Sequence, residues 1–325
     1  MLDSVSNIEA GPYNSQEEGT VTAIRSMLTA GTLAMKSVEL DLRLMRICAL
    51  PLRWRLRYVA KKYKTLLRLR SSCPVKFEIG PLSLQIRNIS GIGTLQSSIV
   101  DFFDDVVSSD LLGSTPLIVD VGANVGQFAN AAKLFFPEAR VISFEPDPET
   151  YADLQVNTHG LRDVELHNIG LGDRDGVLTF YRHELSVMSS FSDDAADTAN
   201  HRGSKQLPVC RLDAVLKSDD RPDLLKIDVE GFERQVLQGA WETVSRCRYV
   251  LIEVSLGRSG GAGNLQLLRD IVEHAPNAAI IKFGRPLGGT YRPMCQDVLI
   301  SVQGSPRIAS SAVPLKHGGV QAKVV

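Results

Sequence analysis

From residue 117 onward, short runs of apolar residues alternate along the chain with amphipathic stretches of 10 to 13 residues. Short apolar runs are typical of strands that are buried on both faces, and the longer stretches have the length of helices. This alternation predicts an α/β fold with a doubly wound, mostly parallel sheet of seven strands. The predicted strands cover 117–121, 140–144, 164–169, 224–227, 249–254, 279–283 and 297–302, and the predicted helices cover 148–157, 232–244 and 264–274.

Two segments between the third and fourth of these strands have other patterns. Residues 177–181 alternate between apolar and polar side chains, which predicts a strand with one exposed face. Residues 183–206 are mostly polar and too many for a simple connection. We therefore expect 183–206 to form a loop over a ligand site.

The region before residue 117 has its own elements. Residues 75–87 alternate on both sides of Gly80-Pro81, as a β-hairpin does, and a helix over about 95–107 follows. A helical pattern before the hairpin is interrupted at Pro51. These patterns predict four parts: a disordered N-terminus at 1–20, a basic helical extension at 21–74, one α/β domain at 75–303 and a flexible tail at 304–325.

The composition limits the possible functions. The chain has 325 residues, of which 44% are hydrophobic and 22% charged, enough for one large core with an appendage. Its formal net charge of −1 gives no reason to expect a nucleic-acid partner. The five cysteines form no C-x-x-C pair and have no histidine at ligand spacing, so no metal site is expected. Neither a signal peptide nor an apolar run of about 18 residues is found, which predicts a cytoplasmic protein.

Residues 43–70 form a strongly basic segment with ten Lys and Arg, and no Asp or Glu occurs between Leu42 and Phe77. Leucine and aromatic residues are interleaved with these charges. A basic amphipathic helix of this kind can lie at the periphery of an anionic membrane or bind an acidic partner. The alternative is a helix that packs on the α/β domain and turns a solvated basic face outward.

The first predicted strand ends in a glycine loop, Asp-Val-Gly-Ala-Asn-Val-Gly at 120–126. Gly122 lets the backbone leave the buried strand in a conformation closed to residues with a Cβ, and Gly126 lets it pass close under a ligand. A dinucleotide loop has the form G-x-G-x-x-G, because a pyrophosphate sits on the following helix. Here Asn124 and Gln127 replace that pattern, so the pyrophosphate cradle is missing.

Two carboxylates beside this loop indicate which ligand it binds. Asp120, just before the turn, supplies a negative charge that suits a ligand with an ammonium and a sulfonium group. Glu145 ends the second strand and is placed to accept hydrogen bonds from both ribose hydroxyls. Because the loop lacks the dinucleotide form, these residues favour S-adenosylmethionine as the cofactor. In such a sheet ligands lie across the carboxyl ends of the strands, a rule that also selects Asn124, Asp173 and Asp228.

Three carboxylates, Asp228, Glu230 and Glu233, fall where the strand over 224–227 turns into a helix. Glu230 and Glu233 are expected to share a helical face, and Glu233 suits a first turn. Methyl transfer to a hydroxyl requires a group that takes the hydroxyl proton, and Asp228 or Glu230 could accept it directly or through water. The alternatives are His167 or His183, or a divalent metal at Asp228 and Glu230, for which the sequence supplies no further ligands.

From about residue 95 to 255, the chain resembles the FkbM family of S-adenosylmethionine-dependent methyltransferases. The resemblance implies a class I methyltransferase sheet and O-methylation of a hydroxyl, since known members act on polyketides and on sugars of glycolipids, polysaccharides and nodulation factors. It implies that Asp120, Gly122, Asn124, Glu145 and Asp173 bind the cofactor, whereas Asp228 and Glu230 face a small-molecule or glycan acceptor. The matching strings are 120–128, 144–146, 168–173 with Gly176, 189–190, 212–213, 225–233 and 236–240.

Two other classes of function compete with this interpretation. A nicotinamide-dependent oxidoreductase would need G-x-G-x-x-G and a tyrosine after the loop, and neither is present. A binding or scaffold protein could keep the fold without the activity, but every acidic and glycine position of the motifs is intact. Methylation of RNA, suggested by the basic segment, is disfavoured because the Pro-Pro tetrapeptides of N-methylating enzymes are absent. The acceptor and the oligomeric state are not determined by the sequence.

Overall fold

The computed structural model describes residues 35, 37–69, 74–87, 89–107, 109–184, 186–192, 201–255, 261–285 and 295–304. The strands are β1 (Val75–Ile79), β2 (Leu82–Ile86), β3 (Leu117–Val121), β4 (Arg140–Phe144), β5 (Val164–His167), β6 (Gly170–Leu171), β7 (Gly176–His183), β8 (His201–Cys210), β9 (Leu224–Ile227), β10 (Tyr249–Ser255), β11 (Ala279–Phe283) and β12 (Cys295–Ser301). The helices are α1 (Leu52–Arg68), α2 (Ile89–Ser97), α3 (Ser109–Leu112), α4 (Gln127–Phe135), α5 (Pro148–Thr158), α6 (Leu212–Val215), α7 (Glu233–Gln238), α8 (Trp241–Arg246) and α9 (Gly261–His274).

The central sheet has seven strands in the order β11-β12-β10-β9-β3-β4-β5. Strands from β10 through β5 run parallel to their neighbours, whereas β12 is antiparallel to both β10 and β11. In the central strand β3, Ile118 packs into one hydrophobic cluster and Val119 into another, so both faces of the sheet are buried. The predicted doubly wound, mostly parallel sheet of seven strands is therefore confirmed.

A second sheet was not predicted. Strands β6, β8 and β7 form it, with β7 and β8 antiparallel. The predicted strand over 164–169 ends at His167, and Gly170–Leu171 pairs with β8 instead. The predicted loop over 183–206 is also wrong for 201–206, which belong to β8. That part of β8 alternates between exposed and half-buried residues, so it carries no apolar signal before Leu207.

Two predicted helices differ from the structure. The helix over 232–244 is two helices, α7 and α8, separated at Gly239, whose backbone passes so close to Gly172 that an added Cβ would lie 1.9 Å from the Gly172 oxygen. The helix over 95–107 begins earlier, as α2, and continues in π-helical turns over Ser98–Val106.

The extension before the hairpin packs on the α/β domain. Helical turns over 37–44 precede Pro51, and α1 begins directly after it. The Tyr58 ring of α1 lies 5.3 Å from that of Phe77 in β1, and both belong to the same hydrophobic cluster as Ile118 of β3. The predicted hairpin, β1 and β2, is confirmed, and Gly80 at its turn has a φ of 56°.

A buried polar cluster also joins the extension to the domain. Lys62 of α1 donates to Asp41 at 2.7 Å and to Gln96 of α2 at 2.8 Å, and Gln96 donates to Asp41 at 2.8 Å. The hydroxyl of Tyr63 donates to the other oxygen of Asp41. The predicted disordered N-terminus at 1–20 and nearly all of the predicted tail lie outside the described residues. None of the described helices is both long and apolar enough to cross a bilayer.

Candidate active site

A cavity of about 970 Å³ lies over the carboxyl ends of β3, β4, β9 and β10. Residues from three parts of the fold line it. The glycine loop and β4 contribute Asn124 and Glu145, the neighbouring strand ends contribute Asp228 and Glu253, and α1 contributes Lys62. The cavity is thus shared between the motifs of the α/β domain and the extension, which carries none of them.

Gly122 is required by contact between two strands. Its φ is 79°, and a Cβ added there would lie 1.9 Å from the backbone oxygen of Asp228. The N–H groups of Gly122 and Ala123 both donate to the carbonyl of Phe144. The loop after β3 is therefore fixed against β9 on one side and β4 on the other.

Gly126 has a different role from the one expected. Its φ is 89°, and an added Cβ would lie 2.9 Å from Leu154 and 3.2 Å from Thr158, both in α5. Gly126 does not line the cavity, whereas Asn124 and Gln127 do. The glycine thus allows α4 to begin close to α5, and its contact with a cofactor stays a prediction.

Asn124 and Glu145 form a fixed pair in the cavity wall. Asn124 has a φ of 49°, and its N–H donates to one Glu145 oxygen at 3.0 Å, while the N–H of Asp147 donates to the other at 3.0 Å. The Asn124 side-chain oxygen accepts from the hydroxyl of Ser186 at 3.0 Å. Burial raises the pKa of Glu145 to about 8, although these two N–H groups counteract the shift.

Asp120 is placed differently from the expectation. It is fully buried in β3 and does not line the cavity. Its carboxylate accepts from Lys226 at 3.0 Å, and the same ammonium lies 3.4 Å from Asp228. Burial alone lowers the pKa of Lys226, but Asp120 and Asp228 outweigh it, so the net pKa is raised and the ammonium stays protonated. The charge of Asp120 therefore compensates that of Lys226, and its role in cofactor binding stays a prediction.

Four carboxylates line the cavity along one edge of the sheet: Asp228, Glu230, Glu253 and Asp297. Glu253 in β10 and Asp297 in β12 are directly paired across the two strands. Burial, followed by the nearby charge of Asp228, raises the pKa of Glu253 to about 9 and that of Asp297 to about 7. One oxygen of Glu253 is buried without a hydrogen-bond partner.

Glu253 and Asp297 were not predicted as site residues from the sequence. A usable signal existed for Glu253, since it is the one charged residue in an apolar strand and lies near its carboxyl end. No comparable signal marks Asp297, because β12 runs antiparallel and brings its amino-terminal half to this edge.

The remaining candidates are dispersed. Glu230 has a φ of 56° and precedes α7, so it does not share a helical face with Glu233 as expected. The buried Glu233 carboxylate accepts from the N–H groups of Val229 and Gly231 and stabilises that turn. Asp173 and Arg174 line a second cavity, and Asp173 is not among the residues that line the cavity with Glu145.

The two histidines are also outside the cavity lining. His167 stacks on Phe144 at 4.8 Å and contacts Glu165, and His183 is buried. Among the residues that the structure describes, no three His, Cys, Asp or Glu side chains are grouped so that they could hold a metal ion.

The cavity offers the polar and apolar contacts that a nucleoside requires. Each Glu145 oxygen accepts one N–H, which leaves lone pairs for two ribose hydroxyls. Phe144, Ile169 and Phe191 supply apolar surface in the same cavity for a base. Its volume is at the upper end of the roughly 300–1,000 Å³ that is usual for ligand sites, so a cofactor and an acceptor can be held side by side.

Comparison with known proteins gives consistent matches. A family model described as "Methyltransferase FkbM domain" matches residues 120–276. Methyltransferase sdnD of Sordaria araneosa is 31% identical in a 177-position alignment that covers 44% of this chain and 67% of that protein. The 31-O-demethyl-FK506 methyltransferase FkbM of Streptomyces tacrolimicus is 34% identical in a 169-position alignment that covers 42% of this chain and 65% of that protein.

A third relative, the hexuronic acid methyltransferase AglP of Haloferax volcanii, is 26% identical over 141 residues, which are 42% of this chain and 55% of that protein. The chain therefore spans between 55% and 67% of the length of these three relatives. The matched region begins at Asp120, near the end of β3, contains the glycine loop, Glu145 and Asp228, and ends before Asp297.

Proposed function

Since this chain belongs to the FkbM family of S-adenosylmethionine-dependent methyltransferases, we propose that it transfers a methyl group to a hydroxyl of a sugar or of a secondary metabolite. The observation that carries the proposal is the single cavity lined by both Glu145 and Asp228. By their names, one relative methylates a hexuronic acid and another methylates 31-O-demethyl-FK506, and these names are the basis for the acceptor classes proposed here.

Asn124 and Glu145 are the residues proposed to hold the cofactor. The Glu145 carboxylate is oriented by N–H groups from Asn124 and Asp147, and it would accept the ribose hydroxyls with its free lone pairs. When bound, S-adenosylmethionine supplies a methyl group activated by a sulfonium. Holding the acceptor oxygen next to such a group can remove roughly 7–11 kcal/mol of the barrier.

Asp228 is the group proposed to take the acceptor proton. Its side chain is about one third exposed, and its carboxylate lies 3.4 Å from the Lys226 ammonium. An ionised carboxylate in the cavity can accept a hydroxyl proton, a contribution of about 10²- to 10⁴-fold in rate. Glu230, two residues further on, lines the same cavity and is the second candidate for this role.

Glu253 and Asp297 are proposed to bind the acceptor. Carboxyl groups accept hydrogen bonds when ionised and can also donate when protonated, so a paired set suits a molecule with several hydroxyls. The unpartnered oxygen of Glu253 is one acceptor position that the protein itself leaves open.

The first test is calorimetric titration of the purified chain with S-adenosylhomocysteine. Micromolar binding that is weakened but still measurable in Glu145→Gln, and unchanged in the surface variant Glu138→Gln, supports the cofactor site. Absence of binding in folded protein contradicts the proposal and favours a scaffold role. Binding of NADH in place of S-adenosylhomocysteine would point to an oxidoreductase.

The second test is transfer of a labelled methyl group to a panel of hexuronic acids, neutral sugars and polyketide alcohols. Product that carries the label on oxygen, and that disappears in Asp228→Asn while S-adenosylhomocysteine still binds, supports O-methylation. Label on nitrogen or carbon would contradict the proposed acceptor atom while leaving the cofactor site intact.

A further inference from the structure

The outer half of helix α1 separates into two strips along its whole length. At about 100° per residue, Leu52, Leu56, Tyr63 and Leu67 fall within an arc of about 60°, and we call them the apolar strip. Their exposed fractions are 55%, 54%, 43% and 66%. Large apolar side chains in a row are unusual on a solvated helix face, where polar residues prevail.

The basic strip lies next to the apolar strip. It consists of Arg53, Arg57, Lys61 and Lys64, which fall within an adjacent arc of about 80°. Arg53, Arg57 and Lys64 are exposed, and Lys61 is half-buried. Since no acidic residue occurs between Leu42 and Phe77, this charge is not neutralised by the helix itself.

The third sector of α1 makes most of its packing contacts. Tyr63 of the apolar strip also reaches the polar cluster through its hydroxyl, while its side chain stays 43% exposed. Tyr58, Lys62 and Thr65 are buried, and they contact the hairpin and the polar cluster around Asp41. The three leucines of the apolar strip and the cations of the basic strip lie on the side of the helix that faces away from the core.

We propose that the outer face of α1 binds the surface of an anionic membrane. Interfacial helices place an apolar face at the boundary between headgroups and acyl chains, with basic side chains beside it at the headgroups. The apolar strip and the basic strip are arranged in this way, side by side and over the same 17 residues. Such a helix is about 25 Å long and would lie flat on the bilayer.

Two other features agree with a lipid surface more than with an acidic protein or RNA. An RNA site would present cations with aromatic residues for stacking, whereas three of the four members of the apolar strip are leucines. The helical turns before α1 expose further apolar residues, with Val38 at 50% and Leu42 at 57%. These turns lie against α1 through the bond from Tyr63 to Asp41.

The test is flotation of the full chain with vesicles of phosphatidylcholine alone or with about 30 mol% phosphatidylglycerol. We expect binding only to the anionic vesicles, and weaker binding at high salt. The variant Arg53→Ala/Arg57→Ala/Lys64→Ala should bind at least about tenfold more weakly, since each cation at such a surface contributes about fivefold. Leu56→Ser/Leu67→Ser should also weaken binding although it keeps the charge.

Two matched control variants test whether vesicle binding depends on where the substituted residues lie or only on the total charge and apolar surface of the protein. Arg162→Ala/Arg202→Ala/Arg269→Ala removes the same charge from exposed positions elsewhere, and Val156→Ser/Val272→Ser removes apolar surface of similar exposure. Both controls should bind like the wild type. Melting curves for all variants show whether each remains folded.

Three results would overturn the proposal. Folded wild-type protein could fail to bind anionic vesicles, or the charge control could lose as much binding as the α1 variant. The α1 variants could also change a dimer into a monomer in light scattering, or abolish tight RNA binding, with no effect on vesicle binding. Vesicle binding requires no methyl transfer, so this outcome is independent of the proposed function.

Discussion

The ammonium of Lys226 lies 3.0 Å from the carboxylate of Asp120, in neighbouring strands and almost completely shielded from solvent. Lys226→Met leaves Asp120 buried without its cation, which typically costs about 3–5 kcal/mol. We expect the denaturation midpoint to fall accordingly, and Lys226→Met/Asp120→Asn to recover part of the loss. The measurement is urea unfolding of the two variants and the wild type. If both variants lose equal stability, the pair does not compensate charge as described.

Glu145 should make cofactor binding depend on pH. Burial raises its pKa to about 8, and the ionised carboxylate is the form that accepts hydroxyl hydrogen bonds best. Affinity for S-adenosylhomocysteine is therefore expected to rise with pH up to about 8 and to level off above it, with release of a proton on binding. Titration in buffers of different ionisation enthalpy measures that proton. Glu145→Gln should abolish this pH dependence, and its persistence in that variant would assign it to another group.

Asp228 and Glu230 can be distinguished by paired substitutions. With an acceptor found in the panel, Asp228→Asn should lower kcat by about 10²- to 10⁴-fold and leave S-adenosylhomocysteine binding unchanged. Glu230→Gln should have a smaller effect, because Lys226 lies beside Asp228. The opposite ranking in steady-state assays would assign proton removal to Glu230.

Glu253 should make the folded protein less stable as the pH rises. Its pKa is raised from 4.5 to about 9, so between these values the unfolded chain has released a proton that the folded chain keeps. Stability therefore falls with increasing pH over this window. Glu253→Gln removes the effect, so its melting temperature should exceed that of the wild type at pH 8, with a gap that shrinks toward pH 5. Glu242→Gln, at an exposed position, is the control and should show no such trend.

Gly122 can be compared with a glycine of similar backbone conformation. Gly122 and Gly113 have φ values of 79° and 77°, but a Cβ at 122 meets the Asp228 oxygen and a Cβ at 113 meets nothing within 4 Å. Gly113→Ala should cost about 1 kcal/mol from the backbone alone. Gly122→Ala should cost several kcal/mol more, measured as a lower melting temperature, and equal losses would contradict the close approach.

The sequence was sufficient for the central sheet because its strands are buried on both faces and give continuous apolar runs, as in 117–121. It was insufficient for β8, because residues 202–206 alternate between exposed and half-buried positions and therefore give no apolar pattern. The break at Gly239 depends on contact with Gly172, 67 positions earlier, which no local pattern reports.

Part of the candidate site was predictable from the sequence, as part of the fold was. Glu145 and Asp228 follow from the rule that ligands lie at the carboxyl ends of parallel strands. The same rule did not reveal that Asp120 is buried and paired with Lys226, because these two residues lie in different strands. Asp297 could be placed at the site only once the structure showed that β12 runs antiparallel to β10.

Helix α1 and its preceding turns contribute Leu40, Lys62 and Leu66 to the cavity, although they lie outside the region that the family model matches. The residues proposed to hold the cofactor and the residues of α1 that line the cavity can therefore change independently during evolution. Exchange or drift of the extension would give a paralogue with the same donor and a different acceptor. The family model over 120–276 therefore includes the residues proposed to hold the donor, and differences in acceptor within the family should be sought in segments outside it that complete the cavity.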